Sequence, residues 1–397
     1  MNRRQFIQSA AGFTCGGAAL AAVPVILPAA WAQNAVRASA NGNFGNLLIL
    51  IELKGANDGL NTVVPYADSS YYSLRPRIAI KREEVVQLSE RAGLHPNLAP
   101  LLLLWKSGQL AIIESVGYPN ANLSHFRSIE IWDTASRADQ YLHDGWLARA
   151  FAANPVPSGY LADGVVIGSN DMGPIENAPK SVALVNTEQF LRQAKFAERG
   201  GYAKNPALNH ILKVENNIVE AAAGLNGRYE FKTQFPANGF GNQVKTAAQV
   251  AANKNGVAAL RLSLGGFDTH QNQPNTHANL LKTLAEGLLA LQASLQEIGR
   301  WDNTLVVTYS EFGRRPRENQ SSGTDHGTAA PQFVMGGRVK GGLYGQAPQL
   351  ARLDGNGNLP YAVDFRDVYA TVLERWWNIR SQNVLGGRYA GLDLLRA

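Results

Sequence analysis

The chain is predicted to be an α/β protein: a three-layer sandwich around a mostly parallel central sheet. Three observations predict it. Short, nearly unbroken aliphatic runs (NLLILIEL, QLAII, GVAALRLSL, NTLVVTY) have the length and composition of strands buried on both faces. Between them lie longer stretches with apolar residues at helical spacing. The clearest is THANLLKTLAEGLLALQASLQEIGRW, with Leu281, Leu284, Leu288 and Leu291 three and four apart. Polar turns join the two kinds of segment in alternation, so strands feed helices.

Taken in order, the first residues read as a targeting segment. Arg3 and Arg4 precede Phe6, a small-residue apolar run comes next, and an A-x-A-like cleavage site stands at Ala30–Ala32. The paired arginines resemble the twin-arginine signal, whose partner is the translocase that exports folded proteins. Residues 1–32 are therefore expected to be removed, leaving a mature protein with no permanent membrane span that is periplasmic or secreted. A linker is expected at 33–45 and a single α/β domain at 46–395, open to an insertion or cap at about 136–255.

NLLILIELKG is the first strand, ended by Gly55. RAGLHPNLAPLLLLWKSGQLAII reads as helix, turn at Ser107–Gly108 and second strand. SHFRSIEIWDTA is helical, with Ile129 and Trp132 on one face. DGWLARAFAA, HILKVENNIVEAAAG and the segment after TQFPANGF read as helices, LADGVVIG and KSVALVN as short strands. After the long helix, DNTLVVTYS and PQFVMGG are strands and DFRDVYATVLERWW is a terminal helix.

Composition narrows the function. The formal charge of +6 carries no long lysine–arginine block, which argues against a nucleic-acid partner. The one cysteine, Cys15, lies in the expected signal, so the mature fold has no disulfide and depends on its core. There is no G-x-S-x-G, HExxH or P-loop, which lowers serine-hydrolase, metalloprotease and nucleotide-binding readings.

The informative regularity lies in the polar residues just beyond each strand. Asn57 and Asp58 come after the first, Ser124 and His125 after the second, Asp268 and His270 after the run ALRLSL, and Glu311 after the run NTLVVTY. Asp325 and His326 come shortly afterwards in GTDHG. In open α/β sheets the ligand crevice lies beyond the carboxyl ends of the strands, so these distant positions converge if the strands are parallel neighbours. Imidazole nitrogen with carboxylate oxygen suits a divalent metal, zinc or manganese, or magnesium where carboxylates dominate. Asp325 and His326 are adjacent and need a turn to point the same way, which Gly323 and Gly327 permit. The competing reading is that each cluster is a polar turn capping the next helix. His95, His143 and His210 read as structural.

GANDGLN, SHFR, GGFDTH, SEFGR and GTDHG, with the twin-arginine start, together resemble the DUF1501 family of exported bacterial proteins, over roughly 45–395. That family resembles the alkaline phosphatase and sulfatase superfamily, which implies an alkaline-phosphatase-like fold and a metal-dependent hydrolase of phosphate or sulfate esters. The resemblance implies Ser124 as nucleophile at a helix start, and Asp58, Asp268, His270, Glu311, Asp325 and His326 as metal ligands. The sequence departs from the pattern at Ser310–Glu311, where the superfamily ordinarily has an aspartate–histidine pair, and Asp268 and His270 stand closer than usual. On this reading Arg127 or Arg314 would grip an oxygen of an anionic small-molecule or glycan ester, and His125, His277 and Asn57 would hold the ligands from behind. The alternatives are a non-catalytic exported binding or structural protein that keeps the fold, and an esterase without metal.

Overall fold

The computed structural model describes residues 42–225 and 229–396. The expected signal at 1–32 lies outside the described residues. Among the described residues nine strands form one sheet: β1 (Leu47–Lys54), β2 (Leu110–Gly117), β3 (Ala162–Ile167), β4 (Ser181–Leu184), β5 (Val257–Gly265), β6 (Thr304–Tyr309), β7 (Ala330–Met335), β8 (Gly342–Gly345) and β9 (Val363–Asp364). Their order is β8-β2-β7-β6-β1-β5-β3-β4, with β9 also on β2. Pairing is parallel throughout, except that β7 runs antiparallel between β2 and β6. The fold is α/β, with a mixed, largely parallel sheet flanked by helices.

Both faces of the sheet are covered, which is why β1 is aliphatic without alternation. Its odd residues Ile49 and Ile51 pack with α5 (Gly239–Ala251) and α6 (Gln273–Glu297), whose Leu281, Leu284, Leu288 and Leu291 are buried there. Its even residues Leu48 and Leu50 pack on the other side, with Ile131 and Trp132 of α1 (His125–Thr134), Trp146 of α2 (Trp146–Ala153) and Phe365 of α7 (Phe365–Ala370). Two further helices, α3 (Thr187–Ala194) and α4 (Pro206–Gly224), come after β4. The 136–255 stretch thus supplies the last two strands at one side of the sheet, β3 and the edge strand β4, with α2 on one face and α5 on the other.

This topology positions the site. β1 lies between β5 and β6, with Leu50 beside both Arg261 and Val307. The carboxyl ends of three strands distant in sequence therefore open at one sheet edge. Beyond β6 the chain forms an antiparallel ribbon, Arg314–Glu318 with Thr324–His326. For Asp325 and His326 both to point inward, the sequence requires a turn at GTDHG. In the structure it is extended, so Asp325 and His326 project to opposite sides. The terminal run begins as α7 and widens into a π-helical turn at Thr371–Trp376.

Candidate metal centre

His125 is the first residue of α1, behind the N-cap Ser124. Asp268 and His270 lie just beyond β5, and His326 closes the ribbon. The fold brings these four together. His326 Nε2 lies 3.1 Å from His125 Nε2 and 3.0 Å from His270 Nε2. Asp268 Oδ1 is 3.0 Å from His270 Nε2 and 3.4 Å from His326 Nε2, and its Oδ2 is 3.5 Å from His125 Nε2. Phe312 lies against the rings of His125 and His326.

The outer ring nitrogens decide what this cluster is. His125 Nδ1 sits 2.7 Å from Glu311 Oε1, and His326 Nδ1 sits 2.8 Å from the Leu123 carbonyl. A carbonyl or a carboxylate only accepts, so each ring carries a proton on Nδ1, and as a neutral imidazole it turns a lone pair on Nε2 toward the other. His270 Nδ1 faces Asp325 Oδ1 at 3.5 Å. Two facing lone pairs at such a distance repel unless a proton or a cation stands between them. Burial disfavours a proton on His326, and although the Leu123 hydrogen bond opposes this, Arg314 adds to it and the net pKa is lowered. A metal fits better. Ligand atoms at roughly 2.0–2.1 Å from zinc stand roughly 3.3–3.4 Å apart, close to the spacings among His125, Asp268 and His326, with His270 Nε2 beside the last two. This is a histidine–aspartate cluster capable of coordinating a metal ion.

The cluster is braced from below. The buried Arg314 guanidinium donates to the carbonyls of Ala56 (2.7 Å), Gly55 (2.6 Å), Thr324 (2.9 Å) and Phe267 (3.2 Å), and to Asp268 Oδ1. Burial raises the Asp268 pKa, but the Arg314 hydrogen bond and charge, with His270 and His125, take it below the ordinary value. The ligand is thus a carboxylate at neutral pH. Glu311 Oε1 also accepts from Gly55 N at 2.9 Å. Gly55 adopts φ +109°, and a Cβ there would lie 2.5 Å from Asp268 N. Only glycine lets the β1 turn come this close.

The other expected site residues lie elsewhere in the network. Asp58 is fully buried and caps the short helix Gly59–Thr62. Its oxygens take Arg75 Nη1 at 2.6 Å and Nη2 at 2.9 Å, and it is not among the clustered ligand atoms. Burial raises its pKa and the Arg75 ion pair more than offsets this. His277 Nε2 pairs with Asn57 Oδ1 at 2.8 Å, in a buried contact that also holds His95. Arg314 has its donors spent on the loops. Arg127 is committed to the carbonyls of Ala138 and Gln140, to Glu130 and to the Tyr141 ring. Ser124 is exposed, and its hydroxyl makes no capping bond. Asp325 acts on His270 from outside. Sequence reasoning missed Arg75, Gln273 and the Leu123 carbonyl, and nothing in their local sequence marks them.

The family described as "Protein of unknown function (DUF1501)" matches residues 108–386. The chain belongs to this family. No curated protein matches this DUF1501 chain. Among solved structures, it is similar to a protein in the alkaline phosphatase superfamily from Vibrio parahaemolyticus, with 10% identity over 86% of this chain and 68% of that one, at a TM-score of 0.40. It is also similar to the phosphonate monoester hydrolase of Agrobacterium radiobacter, with 11% identity over 87% and 78% of the two chains, at 0.39. The lipoteichoic acid synthase LtaP from Listeria monocytogenes matches at 11% identity over 90% and 79%, at 0.36. These are distant likenesses of fold.

Proposed function

We propose that this DUF1501 protein is an exported, metal-dependent hydrolase of phosphate or sulfate esters. The observation that carries the metal part is that His125 and His326 turn their Nε2 atoms toward each other beside the ionised Asp268, while Glu311 and the Leu123 carbonyl hold their Nδ1 atoms. Two imidazole nitrogens and one carboxylate oxygen, with the His270 imidazole beside them, favour zinc or manganese over magnesium. A divalent ion held there supplies Lewis acidity toward an ester oxygen.

The chain's own groups would do the rest. His270 and Asp268 are 43% and 47% exposed, so a substrate reaches the open side of the cluster. Ser124, one residue before His125, offers an uncommitted hydroxyl as nucleophile. The first amides of α1 point toward an anion bound there and carry the partial positive end of the helix. The substrate class is an anionic small-molecule or glycan ester. Export rests on the twin-arginine-like start. Among the described residues no helix is long and apolar enough to cross a membrane.

One observation favours a second reading, a non-catalytic protein that binds a metal and a partner. Asp58 is spent on Arg75, and Glu311 holds His125, so neither acid is free to complete a second ion site. Metal analysis and turnover separate the readings. The hydrolase should carry about one equivalent of metal, lose it in His326→Ala, and cleave 4-nitrophenyl phosphate or sulfate. Bound metal without turnover on any ester supports the second reading. A protein that binds no added zinc or manganese defeats both.

A further inference from the structure

Beneath the cluster lies a buried side chain that touches none of the ligands yet ties their loops together. Gln273, the first residue of α6, is fully buried. Its Oε1 accepts from Thr269 Oγ1 at 3.0 Å and from Thr324 Oγ1 at 2.6 Å. Its Nε2 donates to Asp58 Oδ2, the oxygen that Arg75 Nη1 also holds. Thr269 stands between the ligands Asp268 and His270, and Thr324 is two residues before His326. The same junction is tied by main-chain bonds: Thr324 N to Thr269 O at 3.2 Å and Gln273 N to Ser322 O at 2.9 Å. Gly323 packs so tightly here that a Cβ would lie 2.2 Å from the His270 carbonyl carbon.

We propose that Gln273 is a positioning residue that sets the distance between the Asp268–His270 loop and the His326 strand, and thereby the shape of the metal site. The inference rests on the metal reading above. The chemistry of the three neighbours selects the side chain. Asp58 is an ionised carboxylate and can only accept, whereas the two threonine hydroxyls need an acceptor. A neutral primary amide answers both, with one N–H for the carboxylate and two lone pairs for the hydroxyls. Glutamate in its place would set a second carboxylate against Asp58 in a dry site. A methionine of similar length would remove the shared acceptor, leaving Thr269 Oγ1 only its 3.3 Å bond to the Phe267 carbonyl. Asp58 and Arg75, expected and unexpected members of the site, gain a shared role: they anchor the amide whose oxygen draws both ligand loops in.

The test uses cobalt(II) as an optical probe in the full mature protein, with Gln273→Met and the milder Thr324→Val, which removes one hydroxyl at constant shape. Affinity and the visible d–d spectrum are measured alongside thermal unfolding of the metal-free form. Positioning predicts cobalt binding weakened at least tenfold in Gln273→Met, a smaller loss in Thr324→Val, and an altered d–d spectrum in both. Wild-type affinity and spectrum in either folded variant, even one less stable, would overturn the proposal, because a merely structural amide changes stability alone. Should Gln273→Met fail to fold, Thr324→Val carries the decision. Failure of the wild type to bind cobalt or zinc would instead remove the metal reading, and the proposal with it.

Discussion

His125 and His326 face each other through Nε2 at 3.1 Å while Glu311 and the Leu123 carbonyl hold their outer nitrogens. The way this pair is held, more than the number of histidines, makes the cluster capable of coordinating a metal rather than a plain polar turn. Glu311 is the adjustable half of the arrangement, because Leu123 contributes only backbone. Glu311→Gln keeps an acceptor for His125 but loses the charge that raises imidazole basicity, and zinc affinity should fall about tenfold. Glu311→Ala frees the ring, and the loss should approach about 100-fold. Competition titration against a chromophoric chelator measures both. Equal affinity in the two variants would show that the carboxylate does not orient His125.

The Asp58–Arg75 pair makes a stability prediction of a different kind. Both side chains are fully buried. Removing one partner strands the other charge in a dry interior, which costs about 3–5 kcal/mol. Arg75→Ala should therefore lower the urea midpoint sharply. Asp58→Asn combined with Arg75→Met should recover part of the loss, since the uncompensated charge is then gone. A double variant as weak as the single one would show that the packing of the guanidinium, including its 2.7 Å bond to the Pro316 carbonyl, matters more than charge balance.

Local contacts are legible in the sequence, and long-range polar ones are not. β1, β2, β5 and β6 can be read because burial on both faces makes each an unbroken aliphatic run, and α6 because its leucines keep one face. The clustering of Asp268, His270 and His326 is legible because parallel strands bring their carboxyl ends to one edge. The roles of the polar residues are hidden. Asp58 reads as a ligand until Arg75, 17 residues on, takes its oxygens. His125 reads as a supporting residue until α1 is seen to present its Nε2 to His326. Asp325 and His326 point apart because the run is extended, and extension depends on its pairing with Arg314–Glu318. Gln273 looks like any polar residue at a helix start.

Two buried histidines should set the acid limit of the fold. His277 and His95 are each held at about 4, far below the ordinary 6.5, chiefly because burial penalises the charged ring. Between these values the unfolded chain takes up protons that the folded one refuses. Stability therefore rises with pH across this window, is complete above about 6.5, and is lost as pH falls toward 4. Each ring contributes a slope of about 1.4 kcal/mol per pH unit within it. His277→Gln should keep an amide partner for Asn57 while removing one ring's share of the slope. Urea denaturation at a series of pH values measures it. An unchanged slope in the variant would mean that other groups dominate acid unfolding.

Ser124 offers the sharpest division between the catalytic and the binding readings. At a helix start a serine ordinarily serves as an N-cap, and its replacement by alanine costs about 1 kcal/mol. Here the hydroxyl makes no capping bond, and only the main chain of Ser124 is engaged: its N–H donates to Asn122 Oδ1 at 2.9 Å and its carbonyl accepts from Ser128 N at 2.8 Å. Ser124→Ala should thus change stability by less than about 0.5 kcal/mol and leave zinc binding intact, because no ligand leans on the hydroxyl. If Ser124 is the nucleophile, the same variant should lose ester turnover by at least about 100-fold. Turnover that persists at the wild-type rate, with metal bound, would move the nucleophile to water and reduce Ser124 to the residue that happens to precede His125. A drop in stability with turnover unchanged would instead reveal a capping role that the free hydroxyl does not suggest.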